Sequence, residues 1–191
     1  MTTRSKASEV DYRPRPRDEA PLRAAFPSVD AVDEFGVPTG LLGVHPPEVW
    51  GAIGRTVALA ALLEDRLVAM LQMLTMADQS SYATTSTGKV IEMLRREAPA
   101  DDDAWSTWAE WLDEVEDAFV WRHHVAHNLW PAQPGDRFYG HRLDRKGQRI
   151  NVEATRQDLV NRLVELARIT SETQRWVALA GAEGGRRRRV R

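Results

Sequence analysis

Three of the chain's five histidines, His123, His124 and His127, fall within five positions, and Arg122 directly precedes them. An imidazole titrates near neutral pH and can take or give a proton. A guanidinium stays charged and presents a planar fork of donors to phosphate. Together these types can hold an anion and move a proton beside it. His123 and His127, four apart, share one face of a helix. Arg122 and His127, five apart, stand about 140° around an ideal helix axis. To act on one group they need a loosened helix end, a long reach by the arginine, or a second copy of the chain that supplies the other half.

Two plainer readings stand beside this one. Basic residues near a helix C-terminus oppose the negative end of its dipole, whatever else they do. His123 and His127 could also ligate zinc with Glu116 or Asp117. The inner positions of that pair are His124 and Val125, however, not the Glu of a zinc-protease helix, so no metal and no cofactor is expected.

The elements that would position these residues are helical. Pro46-Pro47 suits a first helical turn, and from Glu48 to about Met76 the residues Trp50, Ile53, Val57, Leu63, Leu67, Leu71 and Leu74 recur at helical spacing. A short helix is expected over Lys89–Glu97, ended by Pro99. Asp101-Asp102-Asp103 should open the next, because carboxylates suit a helix N-terminus. Trp105, Trp108, Trp111, Val115 and Phe119 carry its period to about His127. The spacing of those tryptophans points to a core or a dimer seam rather than to base stacking. Asp144-Arg145-Lys146-Gly147 reads as a turn between Phe138–Leu143 and Gln148–Val152, hence a hairpin. Thr155 and Asp158 resemble a capping pair for a last helix, with Leu159, Val160, Leu163, Leu166, Ile169, Trp176 and Leu179 on its buried side and an end at Gly181 or Gly184-Gly185. The expected fold is all-α: an antiparallel four-helix bundle with a small β-hairpin before the last helix and flexible termini.

Residues 1–44, with Arg-Pro-Arg-Pro-Arg, read as an extended arm that touches the domain through Phe35, Leu41 and Leu42. Residues 45–181 form the bundle and 182–191 a basic tail. Residues 45–135 hold six Lys/Arg against fourteen Asp/Glu, and residues 136–191 hold fourteen against seven. Such asymmetry permits a polyanion to approach one end of the molecule without requiring one. The absence of cysteine excludes disulfides and thiolate metal sites. With no apolar leader and no membrane-length apolar run, a cytoplasmic protein without membrane contact is expected.

Arg122-His123-x-x-Ala126-His127-Asn128 resembles the Arg-x(4–6)-His signature of HEPN-domain proteins, in which a polar residue follows the arginine and alanine often precedes the histidine. The resemblance would cover roughly Pro46 to Ala180. It implies a metal-independent endoribonuclease, a toxin or defence effector acting on cellular RNA. In that reading His127 handles the proton of the attacking 2′-hydroxyl or of the leaving 5′-oxygen. Arg122 holds the scissile phosphate, and His123 orients the pair. Glu64 and Asn128 are the supporting candidates. The resemblance also implies a homodimer whose two motif copies face one cleft, and an antitoxin protein as partner. Leu129 stands where one subgroup carries a tyrosine that is modified to silence the enzyme, so neutralisation by that route is not expected. The alternative is a non-catalytic helical module that binds RNA, a nucleotide or a protein. A third option is an assembly protein whose tryptophan-bearing helix is the contact face.

Overall fold

The computed structural model describes residues 32, 35–37, 47–82, 84–99, 102–127, 137–143 and 146–190. Helix α1 spans Pro47–Thr75, α2 Thr87–Glu97, α3 Trp108–His127 and α4 Arg156–Val190. Strands β1 (Arg137–Leu143) and β2 (Arg149–Thr155) form an antiparallel hairpin between α3 and α4. This is the all-α bundle with a small β element read from the sequence.

The helix directions are set by what each end touches. Val49 and Ala52 near the start of α1 pack with Val125 at the end of α3 and Leu159 at the start of α4. Gly184, late in α4, lies against the backbone of Met73, late in α1. Helices α1 and α4 therefore run the same way. Thr87 opens α2 beside Glu64, while Arg187 reaches the carbonyls of both Leu74 and Glu97, so α2 runs with α1. Only α3 runs against the other three. The expected alternation of directions is thus carried by α3 alone.

The main core joins Leu63, Leu67, Met70, Leu71 and Leu74 of α1 to Val90, Ile91 and Leu94 of α2, Trp108, Trp111, Leu112 and Val115 of α3, and Leu166, Ile169, Trp176 and Ala180 of α4. The tryptophans are core, as their spacing suggested, although Trp105 sits in a 3-10 turn (Asp103–Trp105) and α3 begins only at Trp108. Asp102 caps that turn by accepting from the Ala104 N–H at 2.9 Å.

In the first half of α1 the buried face is not the one traced by the largest apolar residues. Trp50 and Val57 are each 36% exposed, whereas Val49, Ala52, Thr56 and Ala60 are buried. Small residues face inward because α1 and α4 pack along their length, and close approach leaves little space for bulk. Val160 is likewise exposed, while Thr170, Thr173 and Gly184 of α4 are buried.

The C-terminal segment is not a tail. Helix α4 continues through Gly181, Gly184 and Gly185 to Val190. Arg187 donates to the Leu74 and Glu97 carbonyls, both at 2.8 Å, and to the Glu97 and Glu183 carboxylates at 3.1 and 3.0 Å. It thereby caps carbonyls that the ends of α1 and α2 leave without helical partners. Glycine at 184 is what lets the helices meet: a Cβ there would lie 2.3 Å from the Met73 carbonyl oxygen. Overpacking of this kind costs about 1–3 kcal/mol, against a gain of about 1 kcal/mol from helix propensity. Gly184→Ala should therefore lower the urea midpoint, and Gly185→Ala, whose Cβ would meet nothing within 4 Å, should hold or raise it. Equal midpoints for the two variants would contradict this packing.

The hairpin pairs Arg137 with Thr155, Gly140 with Val152 and Leu143 with Arg149. Gly147 has φ of 75°, a conformation that glycine adopts without strain, in keeping with the turn read at Asp144–Gly147. Strand β2 passes straight into α4 through a reciprocal cap. The Asp158 carboxylate accepts from the Thr155 N–H and hydroxyl at 2.8 and 2.7 Å, and the Thr155 oxygen accepts from the Asp158 N–H at 3.1 Å. The Thr155 N–H, then its hydroxyl, hold the Asp158 carboxyl below its ordinary value. A depressed carboxyl stabilises the fold fully above its unfolded value, and that contribution is lost as pH falls through the folded one. Thr155→Ala should cost about 0.5–2 kcal/mol at neutral pH, and the gap from wild type should narrow as the carboxyl protonates. A gap in urea unfolding that stays constant from pH 7 to pH 2 would show that the cap contributes nothing through this carboxylate.

Among the described residues no helix is long and apolar enough to cross a membrane. Residues 1–31 and Leu41 and Leu42 lie outside the described residues, as do Asp101, Asn128 and Leu129. Phe35 is 81% exposed.

Candidate active site at the end of the third helix

Helix α3 is continuous from Trp108 to His127, so no loosening of the chain brings Arg122 round to His127. The two residues keep the separation of about 140° that an ideal helix dictates. His123 and His127 do meet: their rings lie 4.6 Å apart at 48°. Both are exposed, and His124 is half-buried, with its ring 6.5 Å from that of His123.

Arg122 occupies another side. On the helix it neighbours Ala118 and Phe119, which pack on the main core, and Val125, which belongs to the smaller cluster of Val49, Ala52 and Leu159. It therefore stands where the two apolar clusters adjoin. Three arginines with described side chains are half-buried: Arg95, Arg122 and Arg187. Arg95 is bound to Asp113 and Glu116, and Arg187 to Glu97 and Glu183. Arg122 alone makes no hydrogen bond or ion pair among the described residues. A guanidinium with no carboxylate partner has its fork of donors open to an anion.

The surroundings at this end of the bundle are basic. The hairpin and the start of α4 carry exposed Arg137, Lys146, Arg149 and Arg156. Two of them are partly offset, Arg137 by Glu153 at 2.8 Å and Arg156 by Glu48 at 3.8 Å. Such exposed pairs are weak and screened. By contrast the C-terminal arginines Arg186 and Arg187 are engaged with Asp102, Glu183 and Glu97. Arg188 and Arg189 are exposed at the far end of α4, so the chain presents basic residues both at the hairpin and at the end of α4.

Beside the histidines a cleft of about 300 Å³ opens between α2 and α3, lined by Gly88, Ile91, Glu116, Phe119, Val120, His123 and His124. Sequence reading had marked the histidines and Glu116 but not the cleft. The signal was present: Glu116, Phe119, Val120 and His123 follow the spacing of three and four that marks one helix face. What the spacing lacked was the facing wall from α2. Glu64 accepts a short hydrogen bond from the Thr87 hydroxyl, so it anchors the start of α2, next to Gly88 of the cleft. It supports the cleft wall rather than His127. Glu116 and Asp113 are held by Arg95 of α2, at 3.2 and 2.6 Å. Among the described residues no group of three or more His, Asp and Glu side chains is placed to hold a metal ion.

No family model matches the chain, and neither a curated protein nor a solved structure proves similar to it.

Proposed function

We propose that the protein is a metal-independent endoribonuclease that works as a homodimer, with Arg122 and His127 of different copies meeting at one phosphodiester. The observation that carries this reading is Arg122: a half-buried guanidinium with no counter-charge among the described residues, on the same helix end as two imidazoles in ring contact but about 140° around the axis from His127. On a regular helix one chain closes that angle only through a long reach by the arginine; a two-fold axis near the end of α3 brings the pair together without it.

The chemistry uses only side chains. One imidazole removes the proton of the ribose 2′-hydroxyl as that oxygen attacks phosphorus. The bond from phosphorus to the 5′-oxygen breaks, and that oxygen takes its proton from water, so one His127 serves each site. The products are a 2′,3′-cyclic phosphate and a 5′-hydroxyl. Arg122 holds the non-bridging oxygens, where charge accumulates. The ring of His123, in tilted contact, limits the orientations open to His127. The basic hairpin draws the polyanion to this end.

The test is incubation of purified protein with single-stranded RNA in EDTA. Wild type should release cyclic-phosphate ends, and His127→Ala and Arg122→Ala should not. Equal cleavage by all three, or none by wild type, removes the enzymatic reading. Salt-sensitive RNA binding that Arg122→Ala weakens, with no cleavage, would leave a binding module.

A further inference from the structure

The cleft between α2 and α3 has no part in the phosphate chemistry as described. Its volume of about 300 Å³ sits at the low end of the range of about 300–1,000 Å³ found for small-molecule sites. It is an open surface groove, long enough for a nucleotide to lie along it with one face against the protein. Ile91, Phe119 and Val120 make an apolar wall, with Glu116 toward one end and His123 and His124 toward the other. Seven residues of helix separate Glu116 from His123, about 10 Å along the axis. A nucleotide lying along the cleft would reach from base edge at Glu116 to phosphate at His123. His123 is in ring contact with His127 at 4.6 Å, so that phosphate would be the one the imidazoles act on.

Resting on the ribonuclease reading, the geometry points to this cleft as the base subsite of the enzyme, with guanine as the base it takes on the 5′ side of the scissile bond. An aromatic ring and apolar neighbours receive the face of any base. The carboxylate discriminates. Glu116 can only accept hydrogen bonds, and Arg95 holds one of its oxygens at 3.2 Å. Guanine presents adjacent ring and amino N–H donors on its pairing edge. Adenine and cytosine place a ring acceptor beside their amino group, and uracil flanks its single N–H with carbonyls. Both arrangements set an acceptor against the carboxylate.

Gly88 offers a way to close the cleft without touching the core, since a Cβ there would meet nothing within 4 Å. Leucine at a helical glycine also favours the helix, so Gly88→Leu should fold. The first measurement uses DNA oligonucleotides that carry one ribonucleotide, G, A, C or U. Wild type should cleave the G substrate about tenfold faster or more than the others. Glu116→Gln should bring the four rates together, and Gly88→Leu should raise KM on the G substrate about tenfold. The second measurement is calorimetric titration with guanosine 3′-monophosphate, which needs no turnover. Saturable binding is expected, weaker for adenosine 3′-monophosphate and lost in Gly88→Leu. Equal cleavage of the four substrates, or no saturable guanosine binding, overturns the subsite while cleavage itself leaves the ribonuclease reading standing. Guanosine binding that Gly88→Leu abolishes, in a protein that cleaves no RNA, keeps the subsite and removes the nuclease.

Discussion

Trp176→Ala should destabilise the fold by about 3–5 kcal/mol, the usual cost of deleting a large aromatic side chain from a core. Trp176 is 2% exposed and stands among three other indoles, with ring centroids 6.0 Å from Trp105, 4.9 Å from Trp108 and 5.7 Å from Trp111. It is the residue through which α4 joins the start of α3. The surrounding rings come from α3, which carries Trp108 and Trp111, and from the 3-10 turn that carries Trp105, so the space is walled by other large side chains. Small domains have only about 5–15 kcal/mol in hand, so the loss should be a large share of the whole. Trp176→Phe separates packing from polarity. The Trp176 indole N–H is buried with no hydrogen-bond partner among the described residues, so phenylalanine removes a burdened donor and keeps a ring. Urea unfolding should show a much larger fall in midpoint for alanine than for phenylalanine, with little change of slope. Similar small losses for both would mean that the tryptophan cluster does not organise the core.

The second large effect is on cleavage. Removing a positioned general acid or base costs typically about 10²–10⁴ in rate. His127→Ala should lose turnover on that scale with substrate binding nearly unchanged, since the imidazole acts on a proton rather than as an anchor. Arg122→Ala should lose both turnover and affinity, because a phosphate ligand contributes to ground-state binding as well as to the transition state. Arg122→Lys should recover affinity more than turnover, as a point charge replaces a planar fork. Neither substitution should lower the unfolding free energy in urea by more than about 0.5 kcal/mol, because His127 is exposed and Arg122 makes no ion pair among the described residues. A fall in cleavage that follows a fall in stability would point to packing instead.

The parts legible in the sequence were those that depend on local pattern. Proline at the start of α1, the Thr155–Asp158 cap and the turn at Gly147 each follow from the chemistry of a few neighbouring residues. The tryptophan spacing marked a core face correctly. The misreadings came where a distant element decides. Glycines at 181, 184 and 185 looked like a helix end, yet α1 supplies a backbone surface on which Gly184 packs, Asp102, Glu97 and Glu183 hold Arg186 and Arg187, and the helix continues. Trp50 and Val57 looked like core because of their size, yet the approach of α4 puts Ala52, Thr56 and Ala60 inside. The candidate site divides in the same way. The divergence of Arg122 and His127 was already implied by five residues of helix, and the contact of His123 with His127 by four. The cleft was not legible, because Gly88 and Ile91 come from a helix whose direction the sequence does not specify.

The most direct test of a site shared between two copies is complementation. Arg122→Ala and His127→Ala chains, each inactive alone, are mixed under conditions that let subunits exchange, and RNA cleavage is followed. In a two-fold dimer one of the two sites in every mixed pair regains both an arginine and a histidine, so activity should return to about a quarter of wild type on random association. A mixture that exchanges subunits, shown by mass on tagged chains, and yet stays as inactive as its components would contradict the account.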